Sequence, residues 1–348
     1  MTDRLSRLAI EGGPRTKKSP YGTGRRYGKE ELKLLAEALE SNWLFGLHGQ
    51  KVRKLSETFA RLIGVKYCAP VSSGTGAVHV AVGTVDVRPG DEVITSPVTD
   101  FGSIVGILYQ NAIPIFADLD PHTYNMDPVS IEARITRKTR AILVVHLAGN
   151  PADMNAIMKI ARKHGLAVIE DCVQAYLASY RGKYVGTIGD VGCFSLNNSK
   201  HISTGDGGMV VTRREDLGEK IALFADKFYS QVKGQRIAGL VDVPQLAPSY
   251  RITELQAAVA IAQIGKLKRI CRRHLAIGDA YTRGLPESRG FIRTRSRRVV
   301  VRRGGSICFV SRKTSWECRA NSSTGRWPPK VSWHTPVTSR RRSIAGRS

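Results

Sequence analysis

Three short stretches of this 348-residue chain carry side chains that could act together in one site. In GCFSLNNSKHISTGDGG, residues 192 to 208, Lys200 stands four residues beyond a run of strand-forming residues, beside Asn197, Asn198 and Ser199 and ahead of a Gly-rich turn. A lysine that is desolvated or set near another cation can form a Schiff base with an aldehyde and later carry a proton. Taken alone, a lysine is far more often a solvated surface charge. In IEDCVQA, residues 169 to 175, Asp171 closes an apolar run and Gln174 follows three residues on. A carboxylate so placed can keep a ring nitrogen protonated and make that ring an electron sink, although Asp also ends strands and caps helices routinely. In SSGTG, residues 72 to 76, small residues separate an apolar run from GAVHVAVGTV. Uncrowded amides around Gly74 and Thr75 at a helix start form an anion site, and an ordinary capped turn is the competing reading.

These stretches can meet only if regular elements place them at one edge. From Tyr67 to Thr212, short β-branched runs alternate with helical patterns, as in βαβ units built on a mostly parallel sheet. Seven runs read as strands: 67–72, 92–96, 113–118, 141–147, 166–171, 191–196 and 208–212. Helices are expected at 29–40 and 51–63 ahead of the sheet. Another is expected at 153–165, where Met154, Ile157, Met158 and Ala161 recur at helical spacing and Gly165 supplies the stop. A further helix over 253–270 opens with Thr253 as N-cap and Gln256 at the capping-box position. Open α/β sheets bind ligands at the carboxyl ends of their strands, and all three stretches sit there.

Composition bounds the remainder. A 42% apolar and 24% charged chain is globular rather than fibrous or disordered. No apolar run reaches membrane-spanning length and no signal-peptide core opens the chain, so a cytoplasmic location without membrane contact is expected. The six cysteines form no CxxC pair, which argues against a disulfide framework and against a metal site. The net charge of +25 is uneven: residues 289–348 hold 16 Lys/Arg against one acid, Glu317, whereas the first 288 residues hold 38 against 28. Three of the four tryptophans (Trp316, Trp327, Trp333) also fall in that Arg-, Ser- and Gly-rich tail, whose only strand-like run is Val299 to Val301. Such a segment is expected to be largely unstructured. It reads either as a basic arm for nucleic acid or as the product of a shifted frame, and the second reading is preferred; a nucleic-acid partner is not expected.

The blocks SSGTGAVHVAV, RPGDEVITSP, PIFADLDPHTYNMDP, ITRKTRAILVVHLAGNPADM, IARKHGLAVIEDCVQA, GDVGCFSLNNSKHISTGDGGMVVT and YRITELQAAVAIAQ, in this order over residues 10 to 275, resemble the DegT/DnrJ/EryC1/StrS family of sugar aminotransferases. The resemblance implies an α/β fold, the pyridoxal-phosphate (PLP) dependent transferase fold type I, with a seven-stranded mostly parallel sheet flanked by helices. It implies an N-terminal arm (1–28), a large PLP-binding domain (29–245) and the helical start of a small C-terminal domain (246–288) that is truncated or replaced by the tail (289–348). By position, it makes Lys200 the Schiff-base lysine and Asp171 the partner of the ring nitrogen. Gln174 falls beside the ring, and Ser195 with Gly74 and Thr75 around the phosphate.

Two departures stand out. The family's stacking aromatic follows the Thr of a PSxT segment, but SPVTDFGS puts Asp100 there and Phe101 one place later, which leaves stacking by Phe101 open. An NYR segment, whose Asn reaches the neighbouring subunit's phosphate, appears as Ser249, Tyr250, Arg251. Transfer of an amino group from glutamate or glutamine to a keto-sugar, nucleotide-sugar or keto-cyclitol by a homodimer is therefore expected. The family's dehydratase branch, in which His replaces the lysine, is the alternative, as is a non-catalytic truncated homologue. His146, at the end of AILVVHL, reads equally as a cleft residue or a core histidine; KLKRICRR (266–273) reads as a solvated helix face.

Overall fold

The computed structural model describes residues 13–14, 26–47, 49–228, 231–232, 235–236, 246–284, 291–293, 300–301 and 309–311. In chain order the strands are β1 (Tyr67–Val71), β2 (Glu92–Thr95), β3 (Ile113–Phe116), β4 (Thr139–Val145), β5 (Ala167–Asp171), a small hairpin of β6 (Ser179–Tyr180) and β7 (Lys183–Tyr184), β8 (Val191–Ser195) and β9 (Gly208–Thr212). All seven expected strands join one sheet, ordered β1-β9-β8-β5-β4-β2-β3. The pairs β2–β3, β2–β4, β4–β5 and β5–β8 are parallel, while β9 runs antiparallel to both of its neighbours. Strand β4 differs from its expected span of 141–147. Beyond Val145 the amides of Leu147 and Ala148 turn to side-chain oxygens of Asn125 (3.2 Å) and Gln174 (2.9 Å), and the chain leaves the sheet in a single 3-10 turn.

The helices are α1 (Lys29–Glu40), α2 (Gln50–Ile63), α3 (Gly74–Thr84), α4 (Phe101–Leu108), α5 (Pro128–Ala133), α6 (Met154–His164), α7 (Glu215–Ala225) and α8 (Glu254–Gly284). Gly165 stops α6 in the left-handed region, at φ 65°, where a side chain would be strained. The capping box that opens α8 is formed: Gln256 N donates to Thr253 Oγ1 (3.3 Å) and Thr253 N to Gln256 Oε1 (3.2 Å). This helix continues to Gly284 rather than ending near 270, since CRRHLAIGDAYTRG contains no proline and Cys271 is still buried.

The strands alternate between two apolar layers. Ala141, Leu143 and Val145 pack with Val78, Ala81 and Phe224 of α3 and α7 on one face. Ile142 and Val144 pack with Phe59, Ile157 and Leu267 of α2, α6 and α8 on the other. Burial on both faces is why these strands read as continuous apolar runs rather than as alternating ones. In the tail, Phe291–Arg293 pairs with Phe309–Ser311, and Val300–Val301, from the valine run singled out in the sequence, adds antiparallel to β6. Most of the tail expected to be unstructured lies outside the described residues, as does most of the N-terminal arm.

Candidate active site

The carboxyl ends of β5 and β8 and the turn after β1 open onto a cleft of about 200 Å³. Its wall contains Gly74, Thr75, Asp171, Ser195 and Lys200, so the three chemically suggestive stretches converge although they are up to 126 positions apart in sequence.

One end of the cleft is a cradle for an anion. Ser73 caps α3 by accepting from the amide of Gly76 (2.9 Å), which leaves the first-turn amides at Gly74 and Thr75 facing the cleft with the positive end of the helix dipole. Ser195 closes this end, and its Oγ accepts from the amide of Asn197 at 3.2 Å. The fit is close: a Cβ on Gly74 would stand 2.6 Å from Ser195 Cβ and 2.7 Å from its Oγ. Only glycine leaves that space for a ligand's oxygens. Gly102, at the start of α4, faces the same constraint, because a Cβ there would meet Thr75 Oγ1 at 2.7 Å.

At the floor, Asp171 is 1% exposed. Its Oδ2 accepts from the Ser103 hydroxyl (2.7 Å) and its Oδ1 from the Val173 amide (3.1 Å). Burial pushes this carboxyl above its ordinary pKa, and these two hydrogen bonds with the charge of Lys200 only partly oppose the shift. A carboxylate in that condition needs a cation, and a protonated ring nitrogen supplies one. The donor cradle, the buried carboxylate and a lysine in one cleft therefore fit PLP.

Lys200 sits in the loop joining β8 to β9. Asn197 organises the loop from within: its Oδ1 accepts from the Ser199 amide and hydroxyl, both at 3.0 Å, and its Nδ2 donates to Asp206 (2.9 Å). His201, next in sequence, does not line the cleft. Its ring packs between Tyr176 and His274, with centroids at 5.6 and 5.1 Å, and burial with the neighbouring positive charge pushes its pKa down to about 3.

Three of the expected cofactor residues are not among those lining the cleft. Phe101 is 67% exposed, because Asp100 takes the N-cap of α4, accepting from Gly102 N at 2.8 Å, and the aromatic ring falls one position round the helix. Asp100 lines the cleft in its stead. Gln174 is committed to Ala148 N, and Ser249 is exposed away from the cleft on a bridge to Asp226. His146 proves to be a core histidine. Its Nδ1 accepts from Ala152 N, so its Nε2 donates to Glu170 Oε2 at 3.0 Å. Glu170 also accepts from the amides of Gly186, Ile188 and Gly189, so both of its oxygens and both His146 nitrogens already have hydrogen-bond partners. The sequence reading missed Ser103, Val173 and Asp206. Ser103 follows Asp100 by one α-helical turn and Asp206 interrupts the Gly-rich turn after Lys200, but nothing local to either residue announces its partner.

The profile described as the DegT/DnrJ/EryC1/StrS aminotransferase family matches residues 25–315, running past the point near residue 288 where the composition changes. GDP-perosamine synthase of Escherichia coli O157:H7 is 38% identical over 262 residues, covering 74% of this chain and 69% of its own length. The spore coat polysaccharide biosynthesis protein SpsC of Bacillus subtilis is 36% identical over 269 residues, covering 76% and 69%. Among solved structures, the sugar aminotransferase CalS13 from Micromonospora echinospora superposes with a TM-score of 0.73 at 30% identity, covering 79% of this chain and 76% of that one.

Proposed function

Because the chain belongs to the DegT/DnrJ/EryC1/StrS aminotransferase family, we propose that it is a PLP-dependent enzyme moving an amino group from glutamate or glutamine to a keto-sugar or keto-cyclitol. The observation that carries this reading is the convergence of Lys200, Asp171 and the Gly74–Thr75 helix start on one cleft. PLP, when bound, supplies an electron sink that stabilises negative charge on a substrate carbon. The residues have separate tasks. The amides at Gly74 and Thr75 and the Ser195 hydroxyl bind the phosphate. Asp171, fixed by Ser103 and Val173, holds the proton on the ring nitrogen. Lys200 Nζ would hold the cofactor and would take and return the proton at the reacting substrate carbon. Val173, beside Asp171 in the wall, would offer a bound ring an apolar surface.

A dehydratase would need His in place of the anchoring lysine, and the only adjacent histidine, His201, is packed into the core. That favours transamination. No helix among the described residues is long and apolar enough to cross a membrane, and a cytoplasmic homodimer is part of the proposal. The test is a visible spectrum of the purified protein with PLP, before and after L-glutamate, beside Lys200→Ala. A band that requires Lys200 and is lost on adding glutamate is the expected result; a soluble wild-type protein with no Lys200-dependent band would refute the reading.

A further inference from the structure

We propose that Arg26 is a positioning residue for Lys200. Its guanidinium donates to two carbonyls of the Lys200 loop, Asn198 O at 2.6 Å from Nη1 and Lys200 O at 3.1 Å from Nη2. The contact spans 172 and 174 positions of sequence, from just ahead of α1 to the loop that carries the cleft lysine.

The clamp is itself anchored. Gln263, fully buried on α8, donates from Nε2 to the Arg26 carbonyl (3.2 Å) and to Glu31 Oε1 (2.7 Å), while its Oε1 accepts from Ser203 N in the same loop (3.4 Å). Lys266 Nζ completes the anchor with 2.7 Å contacts to both Glu31 oxygens. One α8 side chain thus ties Arg26, α1 and the Lys200 loop to a single frame. On the far side of Lys200, the His201 ring is buried with neither nitrogen hydrogen-bonded among the described residues, and it packs between Tyr176 and His274. The backbone at Lys200 is thus held on both sides, and the residue lines the cleft.

A fork of two donors on two carbonyls suits guanidinium, and a lysine's point charge cannot reproduce it. What the clamp supplies is placement: Lys200 Nζ must reach its proton's donor and acceptor atoms, and a shift of about 1 Å in a catalytic group costs on the order of 100-fold in rate.

This proposal rests on the reading of Lys200 as the anchoring lysine, and its test has two independent parts. The first follows the reaction of the full-length PLP-loaded protein with L-glutamate, which needs no knowledge of the acceptor. In Arg26→Ala the rate constant at saturating glutamate is expected to fall roughly 10- to 100-fold with the half-saturating concentration little changed, and Arg26→Lys to be intermediate. The second is hydrogen exchange on the cofactor-free chain, where amides of residues 197–203 should exchange faster in Arg26→Ala while those of α6 do not change. A rate within about twofold of wild type, an unchanged loop exchange, or a half-saturating concentration that rises in step with the fall in rate would each overturn the proposal. If wild type itself does not react with glutamate, the aminotransferase reading fails, and the exchange comparison still decides whether Arg26 holds the loop.

Discussion

Asp171 serves two states of the protein differently. In the cofactor-free chain its ionised form is buried, and two hydrogen bonds with the charge of Lys200 only partly offset that burial, so the folded pKa lies above the ordinary carboxylate value. The sign of the consequence is fixed by linkage: a raised folded pKa gives stability that is present below the unfolded pKa and lost as pH rises through the folded one. Asp171→Asn keeps an acceptor for Val173 N and can donate to Ser103, but has no charge to bury. The cofactor-free variant should therefore be at least as stable as wild type, with its advantage in Tm growing as the pH is raised from about 4 toward neutrality. Its reaction with glutamate should be slower by on the order of 100-fold or more, because the preorganised charge is gone. Thermal melts across pH, beside single-turnover rates, check both halves; a variant that is destabilised at neutral pH and fully active would show that the carboxylate is a structural group.

Among the elements, the start of α8 does more than begin a helix. Glu254, 3% exposed in its first turn, accepts from the amides of Lys51 (2.9 Å) and Val52 (2.7 Å) and so caps α2, more than 200 residues away in sequence. A Cβ on Gly49 would lie 2.2 Å from Glu254 Oε1, so that glycine is required for the carboxylate to approach. Glu254→Ala leaves two part-buried amides without their carboxylate partner, and a loss of roughly 1–3 kcal/mol in unfolding free energy is expected from urea titration, with Glu254→Gln intermediate. This contact also marks the limit of what the sequence discloses. The seven strands, α1, α2 and the α8 capping box were legible because period and caps are local properties. The convergence of Lys200, Asp171 and Gly74 was legible because a parallel sheet gathers its carboxyl ends on one side. The antiparallel course of β9, the Glu254 cap and the Ser103–Asp171 bond were not, since each depends on which distant segments become neighbours. Phe101 stands outside the cleft lining for a simpler reason: with Asp100 as N-cap, the aromatic residue falls one position later on the helix.

At the scale of the whole molecule, several large apolar side chains are solvent-exposed among the described residues. Beside the cleft residue Asp100 stand Val98 and Phe101, 44% and 67% exposed, and Trp43 and Phe45 are exposed on the segment between α1 and α2. Exposed aromatic side chains of this kind are enriched in protein interfaces. Ser249 is solvent-exposed and is not among the residues lining the cleft. Opposing association is the net charge of +25 per chain, whose self-repulsion is strong at low salt but screened beyond about 8 Å at physiological ionic strength. The protein should therefore sediment near twice its 38.2 kDa chain mass at about 0.15 M salt and dissociate measurably near 0.01 M, where the screening length is about 30 Å. Phe101→Glu should raise the monomer fraction and weaken PLP retention together, whereas Val129→Glu, an equally exposed apolar site on α5, should do neither. Sedimentation velocity with PLP absorbance followed in the same cell measures both quantities at once. A wild-type monomer that retains PLP through Lys200 would show the cleft to be complete within one chain and would remove the dimer from the proposed function.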